Sequence, residues 1–154
     1  MKKLLDNPNK AAIAVVIFLV LFFSLRSCDA EAASVELGPS LLNGYGLVYA
    51  EDLGEDWSAG MMLISEQEVY NQTIGNNGGF FITRMVRKND FSMGLGIARW
   101  VSTSRVIGAE LGFHLSLHYN LLGRYSINYR HWSNAGTADQ NRGQDLLTIG
   151  WRFK

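Results

Sequence analysis

The sequence predicts an all-β protein, an eight-stranded antiparallel transmembrane β-barrel that follows an N-terminal signal peptide. Three observations predict this fold. Beyond residue 32, apolar and polar residues alternate with a period of two, the pattern of strands with two unlike faces. Glycine supplies 16 of the 154 residues and proline only 2, which suits β-structure better than helices. The residues before position 33 have the layout of an export signal.

Residues 1–32 are predicted to be a signal peptide, and residues 33–154 the barrel. Three lysines lie within the first ten residues, residues 11–25 are apolar apart from Ser24, and Ala30-Glu31-Ala32 offers small residues for cleavage. The apolar run is shorter than the roughly 20 residues that a membrane-spanning helix needs. An uncleaved anchor is the alternative interpretation.

The strands are predicted where the alternation is clearest. In chain order they are 34–41, 45–51, 57–66, 79–87, 91–98, 108–118, 123–133 and 145–154. The runs at 91–98 and 108–118 alternate most cleanly, with apolar side chains at odd positions and small or polar ones at even positions. Eight is also the smallest usual number of strands in a closed membrane barrel.

Two architectures fit this alternation. In a soluble β-sandwich the apolar face would form the core, whereas in an outer-membrane barrel it faces lipid and the small or polar face fills the lumen. The strand number, the export signal and aromatic residues near strand ends favour the barrel. The aromatic residues predicted to form interfacial girdles are Tyr45, Trp57, Trp100, Tyr119, Tyr125, Trp132 and Trp151. We therefore expect localisation in a bacterial outer membrane, in contact with its lipids.

The connections give the predicted barrel an orientation. Those at 52–56, 88–90 and 120–122 are short, and those at 67–77, 102–107 and 134–144 are mostly longer, while the one at 42–44 is tight. Outer-membrane barrels have short periplasmic turns and longer extracellular loops. The end of the seventh predicted strand therefore lies on the extracellular side.

Charge and cysteine content exclude several classes of protein. The 14 basic residues balance 14 acidic ones, so the chain lacks the basic face of a nucleic-acid binder. Its one cysteine, Cys28, lies in the predicted signal peptide, which leaves the barrel without a disulfide or thiolate metal site. We expect no metal and no cofactor, and no feature predicts an oligomeric state.

The seventh predicted strand ends on two groups that carry chemistry. His131 and Ser133 are two residues apart, so both side chains continue the lipid-facing row. Asp145 heads the corresponding row of the last strand. The hairpin sets either Ser133 or His131 opposite Asp145, and both registers keep the three groups on one face. Ionisable side chains that face hydrocarbon are costly, so we interpret them as functional.

A hydroxyl, an imidazole and a carboxylate are the parts of an esterase that acts through an acyl-enzyme. Ser133 would attack an ester carbonyl, His131 would transfer the proton, and Asp145 would orient the imidazole. Donors around Asn134-Ala135-Gly136, or the side chains of Asn134 and Asn141, would stabilise the oxyanion. If the His-x-Ser pattern arose by chance, the protein would instead be a non-enzymatic small barrel with a structural or adhesive role.

The segment His131-Trp132-Ser133-Asn134-Ala135-Gly136, followed by Asn141, Gly143 and Asp145, resembles the end of the lipid A 3-O-deacylases, the PagL family. Members are eight-stranded outer-membrane barrels that hydrolyse the 3-position ester of lipid A with a Ser-His-Glu triad on the outside of the barrel wall. The resemblance implies that the lipid A of lipopolysaccharide is the substrate and that Ser133, His131 and Asp145 form the triad. The chain departs from the family pattern in having Asp rather than Glu as the acid.

Overall fold

The computed structural model describes residues 32–69, 71–103, 106, 108–134, 136–137 and 142–153. The predicted signal peptide lies outside these ranges except for its last residue, Ala32, and it stays a prediction. No helix in the described part of the chain is long and apolar enough to cross a membrane.

Eight strands of the described chain form one closed antiparallel barrel. Within the described ranges the strands are β1 (Ala33–Ser40), β2 (Gly44–Asp52), β3 (Trp57–Ile64), β4 (Gln67–Val69), β5 (Gln72–Ile74), β6 (Asn77–Lys88), β7 (Phe91–Trp100), β8 (Leu111–Leu122), β9 (Tyr125–Ser133) and β10 (Gln144–Phe153). The barrel runs β1-β10-β9-β8-β7-β6-β3-β2, and β1 closes it by pairing with both β10 and β2. The predicted eight-stranded barrel is confirmed.

Successive connections alternate between the two ends of the barrel, and the long ones all lie at one end. Those at 53–56, 89–90 and 123–124 lie at one end, which we call the short-turn end. Those at 41–43, 65–76, 101–110 and 134–143 lie at the other, the long-loop end, and β4 and β5 form a small hairpin within the second of these. His131 and Ser133 lie at the long-loop end, as the sequence predicts.

Strand β8 differs most from its prediction. The observed strand runs from Leu111 to Leu122, so Gly108 to Glu110 lie outside it and four residues are added at its end. The apolar pair that was predicted as part of a turn at 120–122 instead continues the strand past an irregularity in the register. The turn into β9 is therefore Gly123-Arg124, and Gly123 takes the positive φ of 55° that a tight hairpin turn requires.

The outside of the barrel wall is apolar. On β7 the outward side chains Phe91, Met93, Leu95 and Ile97 are 41 to 63 % exposed, while the residues between them are small. The same arrangement continues onto the neighbouring strands, where the exposed apolar residues include Phe80, Ile82, Val86, Leu111, Phe113, Tyr119, Ile127, Leu147 and Ile149. A soluble sandwich would bury this row, so the exposed row matches the barrel interpretation.

Two of the seven aromatic residues predicted for the girdles lie inside the barrel. Trp100 is 3 % exposed and Trp132 is 0 % exposed. Both occupy even positions of strands whose odd positions face outward, so the strand alternation decides their direction. The other five are more exposed on the outside, and four of those five lie near the short-turn end: Trp57, Tyr119, Tyr125 and Trp151.

The interior has two layers, whereas the sequence predicts a lumen filled by small or polar residues. The layer towards the long-loop end is apolar and consists of Val48, Ala50, Met62, Ile64, Phe81, Ala98, Trp100, Val106, Trp132 and Leu146. Beside it lies a polar layer around Arg130 and Glu36, which are 2 % and 1 % exposed. Two guanidinium nitrogens of Arg130 donate to the two Glu36 oxygens, at 2.8 and 2.6 Å.

Other polar side chains complete this inner layer. His114 contacts Thr83 Oγ1 through Nδ1 at 2.7 Å and stacks on Trp132, with ring centroids 5.0 Å apart. Thr148 Oγ1 donates to Glu36 at 3.0 Å. The buried ions are therefore paired and hydrogen-bonded, as burial requires. Strand β9 thus presents a packed core on one face and the candidate site on the other.

Candidate active site

The hairpin of β9 and β10 sets the geometry of the site. Asp145 lies directly opposite His131, so of the two registers left open by the sequence this one is observed. Ser133 pairs on its other side with Phe113 of β8. All three side chains lie on the odd, outward row of their strands, at the long-loop end.

His131 and Asp145 are joined by a hydrogen bond. The distance from Nδ1 to Oδ1 is 2.8 Å, and the two side chains are 32 % and 25 % exposed. Because a carboxylate only accepts, Nδ1 donates, and the tautomer of the neutral ring leaves Nε2 as an acceptor. A ring held in this way has the arrangement of a general base beside its orienting acid.

Ser133 is the last residue of β9 and is partly exposed on the same row as His131. Residues two apart on a strand have Cα atoms about 7 Å from each other, so rotation of both side chains brings a hydroxyl and an imidazole together. Among the described residues no hydrogen bond joins Ser133 to His131. Catalytic hydrogen bonds are often long before substrate binds, so this geometry suits a substrate-free enzyme.

Tyr129 is a member of the site that the sequence did not reveal. Its hydroxyl donates to Asp145 Oδ1 at 2.5 Å, the oxygen that also accepts from His131. By its odd position in the strand, Tyr129 looks like one more member of the lipid-facing row. Its position two residues before His131, diagonal to Asp145 in the observed register, is the only sequence signal that could have found it.

Gly143 packs against the Cε1 edge of the His131 ring. A Cβ atom added at Gly143 would lie 2.6 Å from His131 Cε1, and the residue has a φ of 78°. Its N–H donates to the carbonyl of Val106 at 3.2 Å, and Val106 is buried in the apolar layer. Both the close approach and the backbone conformation therefore require glycine here.

Asn134 and Gly136 form a turn directly after Ser133. The buried Asn134 accepts the Gly136 N–H at its Oδ1, at 2.9 Å, and its carbonyl accepts from Thr137 N and Oγ1, at 3.0 and 2.7 Å. These bonds fix the backbone where the oxyanion donors are expected. Asn141 lies outside the described residues, so the oxyanion assignment of Asn134, Gly136 and Asn141 stays a prediction.

A polar junction anchors the start of β10 behind the site. The amide nitrogen of Gln144 donates to Ser40 Oγ at 2.7 Å, and that of Gln67 donates to the same oxygen at 2.8 Å. All three side chains are buried. The junction links β1, the β4–β5 hairpin and β10, and it holds the residue that precedes Asp145.

The surroundings of the site on the outer wall are apolar. Leu115 lies opposite His131, Phe113 opposite Ser133, and Leu147 opposite Tyr129. Phe113 and Leu147 are exposed. His131 and Ser133 therefore lie in an apolar part of the wall and open to the side of the barrel.

No protein-family model and no curated protein sequence matches the chain. Solved structures do match. The crystal structure of the outer membrane enzyme PagL aligns with a TM-score of 0.61 at 15 % identity, over 79 % of this chain and 98 % of that chain. The attachment invasion locus protein Ail of Yersinia pestis, solved with the heparin analogue sucrose octasulfate, aligns with a TM-score of 0.43 at 16 % identity, over 79 % and 94 % of the chains. At such identity the likeness to PagL concerns the fold.

Proposed function

We propose that this protein is a lipid A 3-O-deacylase of the bacterial outer membrane, a carboxylic ester hydrolase that acts on lipopolysaccharide. The observation that carries the proposal is the hydrogen bond from His131 to Asp145 on the outward face of the wall, two residues from Ser133. The motif around these residues resembles the deacylase family, and the barrel has the same fold as the outer membrane enzyme PagL.

The apolar exterior supports the membrane location. Large apolar side chains are exposed along the outward rows, and the charged pair of Arg130 and Glu36 is buried inside. This is the pattern of a transmembrane barrel. A site at the long-loop end of the wall would then face the outer leaflet, where lipid A resides.

The chemistry follows from the three groups. Ser133 Oγ attacks the carbonyl of the 3-linked 3-hydroxyacyl ester while His131 Nε2 takes its proton. The tetrahedral intermediate collapses, the bond between the acyl carbon and the sugar oxygen breaks, and His131 protonates that oxygen, which leaves as the sugar hydroxyl. Water then attacks the acyl-serine by the same route and releases the free fatty acid. Asp145 keeps Nδ1 protonated and stabilises the imidazolium between these transfers.

Mass spectrometry of lipid A from cells that express the chain tests the proposal. We expect wild-type cells to lose one 3-hydroxyacyl mass, and cells with Ser133→Ala to retain it. Ser126→Ala is the matched control, because Ser126 lies on the same strand but on the inward row. Unchanged lipid A from correctly folded wild-type protein would instead favour a non-enzymatic barrel.

A further inference from the structure

One oxygen of Asp145 accepts two hydrogen bonds on the outer wall. His131 Nδ1 lies 2.8 Å from Oδ1, and the Tyr129 hydroxyl lies 2.5 Å from the same atom. Bonds in which the acceptor is ionised are short and strong. The Asp145 carboxylate is thus held by two donors at one of its oxygens.

Tyr129 differs from the other outward-facing tyrosines in lying deeper within the proposed membrane. Tyr125 starts β9 at the short-turn end, where a phenol reaches the membrane interface and its water. Tyr129 lies four residues further along, about 13 Å up the strand, where its hydroxyl would otherwise face hydrocarbon. A polar group without a partner there is costly, so the bond to Asp145 satisfies both groups.

We propose that Tyr129 is a positioning residue of the esterase, whose hydroxyl holds the Asp145 carboxylate in line with His131. This inference rests on the proposed function. Aspartate is one methylene shorter than the family glutamate, and its carboxylate has fewer rotatable bonds to reach the imidazole. The Tyr129 phenol fixes the Asp145 carboxylate where it contacts the His131 imidazole. The phenol itself takes no part in proton transfer.

Kinetics of the purified protein in detergent with lipopolysaccharide as substrate test this role. We expect Tyr129→Phe to lower kcat about 10- to 100-fold with little change in KM, the loss that removal of a hydrogen bond to a charged group produces. Tyr125→Phe is the matched control and should leave both constants unchanged. An unchanged kcat in Tyr129→Phe would overturn the inference.

A double-mutant cycle separates positioning from general structural support. If Tyr129 acts through the Asp145 carboxylate, Tyr129→Phe should cause no further loss in an Asp145→Asn background. A phenol that only stabilises the barrel would give additive losses, and that result would also overturn the inference.

A spectroscopic measurement keeps the inference distinct from the proposed function. With ¹⁵N-labelled histidine in micelles, His131→Asn identifies the Nδ1–H resonance of His131. We expect that resonance to shift and to exchange faster with water in Tyr129→Phe than in Tyr125→Phe. A wild-type protein without esterase activity would overturn the proposed function, while an unmoved resonance would overturn the role of Tyr129.

Discussion

The imidazole of His131 is confined on two sides, by Asp145 at Nδ1 and by Gly143 at Cε1. The first contact fixes the tautomer and the second limits how far the ring can swing. The Gly143 backbone is itself tied to buried Val106, so the apolar layer inside the barrel sets the position of a group on its outside. An imidazole held in this way would need little reorganisation to act as the general base of the proposed esterase.

Replacing Gly143 tests this confinement. Gly143→Ala would place a methyl group against the ring, and a misplacement of about 1 Å in a reacting group costs on the order of 10²-fold in rate. We predict a loss of this size in kcat/KM, measured with purified protein. Gly54→Ala is the control, because Gly54 has a similar φ of 74° with nothing within 4 Å of an added Cβ. Equal activities of the two variants would contradict the confinement.

At this scale the sequence predicts part of the site. The period of two places Ser133 and His131 on one face, and the hairpin returns Asp145 to it. Whether Ser133 or His131 lies opposite Asp145 depends on the path of the 134–143 connection. No local sequence pattern specifies that path. The role of Tyr129 was not predicted because it depends on side-chain reach. Gly143 belongs to the motif that resembles the deacylase family, but its contact with His131 was not predicted because it depends on the approach of a loop.

Strand β9 serves two purposes on its two faces. Its outward row ends in His131 and Ser133, and its inward row carries Asn128, Arg130 and Trp132 into the core. Arg130 pairs with Glu36 of β1 across the interior. The strand that carries the candidate site is therefore fixed from behind by a buried ion pair.

Removal of Arg130 tests that role. Arg130→Met would leave the Glu36 carboxylate buried without its partner, and breaking such a pair costs about 3–5 kcal/mol. We predict a decrease of this size in the free energy of unfolding, measured by urea titration in micelles. Glu36→Gln combined with Arg130→Met should recover part of the loss, and the exposed Arg124→Met should change stability little. A single Arg130→Met variant as stable as the wild type would contradict the prediction.

Alternation predicts the barrel strands well because each has one apolar face. It fails at the β4–β5 hairpin, which lies in a segment predicted as loop, since strands of three residues leave no readable period. The apolar inner layer was missed for another reason. Trp100 and Trp132 were assigned to the girdles by their place near strand ends, although alternation puts their even positions inside the barrel.

The barrel as a whole exposes apolar surface outside and buries charge inside. In water this distribution would be unfavourable, since soluble monomers rarely expose large continuous apolar patches. In a bilayer it is the expected one. The proposed substrate would then reach the site on the wall within the membrane plane rather than through a pore.

Substitution of an outward-facing apolar residue by arginine tests whether the outside of the barrel faces a bilayer or water. Leu95→Arg should cost about 2–4 kcal/mol of stability if Leu95 faces the bilayer midplane. Leu53→Arg, in the 53–56 turn, should be nearly neutral. Unfolding titrations in lipid vesicles give both values. If Leu95→Arg lowers the free energy of unfolding as little as Leu53→Arg does, the outward row does not face hydrocarbon.

The most direct test of the central claim is covalent labelling of Ser133 in the folded barrel by a fluorophosphonate ester. The reagent phosphonylates a serine hydroxyl with loss of fluoride when a neighbouring base activates it. We predict one added phosphonyl mass, mapped to the peptide that contains Ser133 and lost in His131→Asn. An unlabelled wild-type barrel, or labelling that persists in His131→Asn, would contradict a serine nucleophile activated by His131.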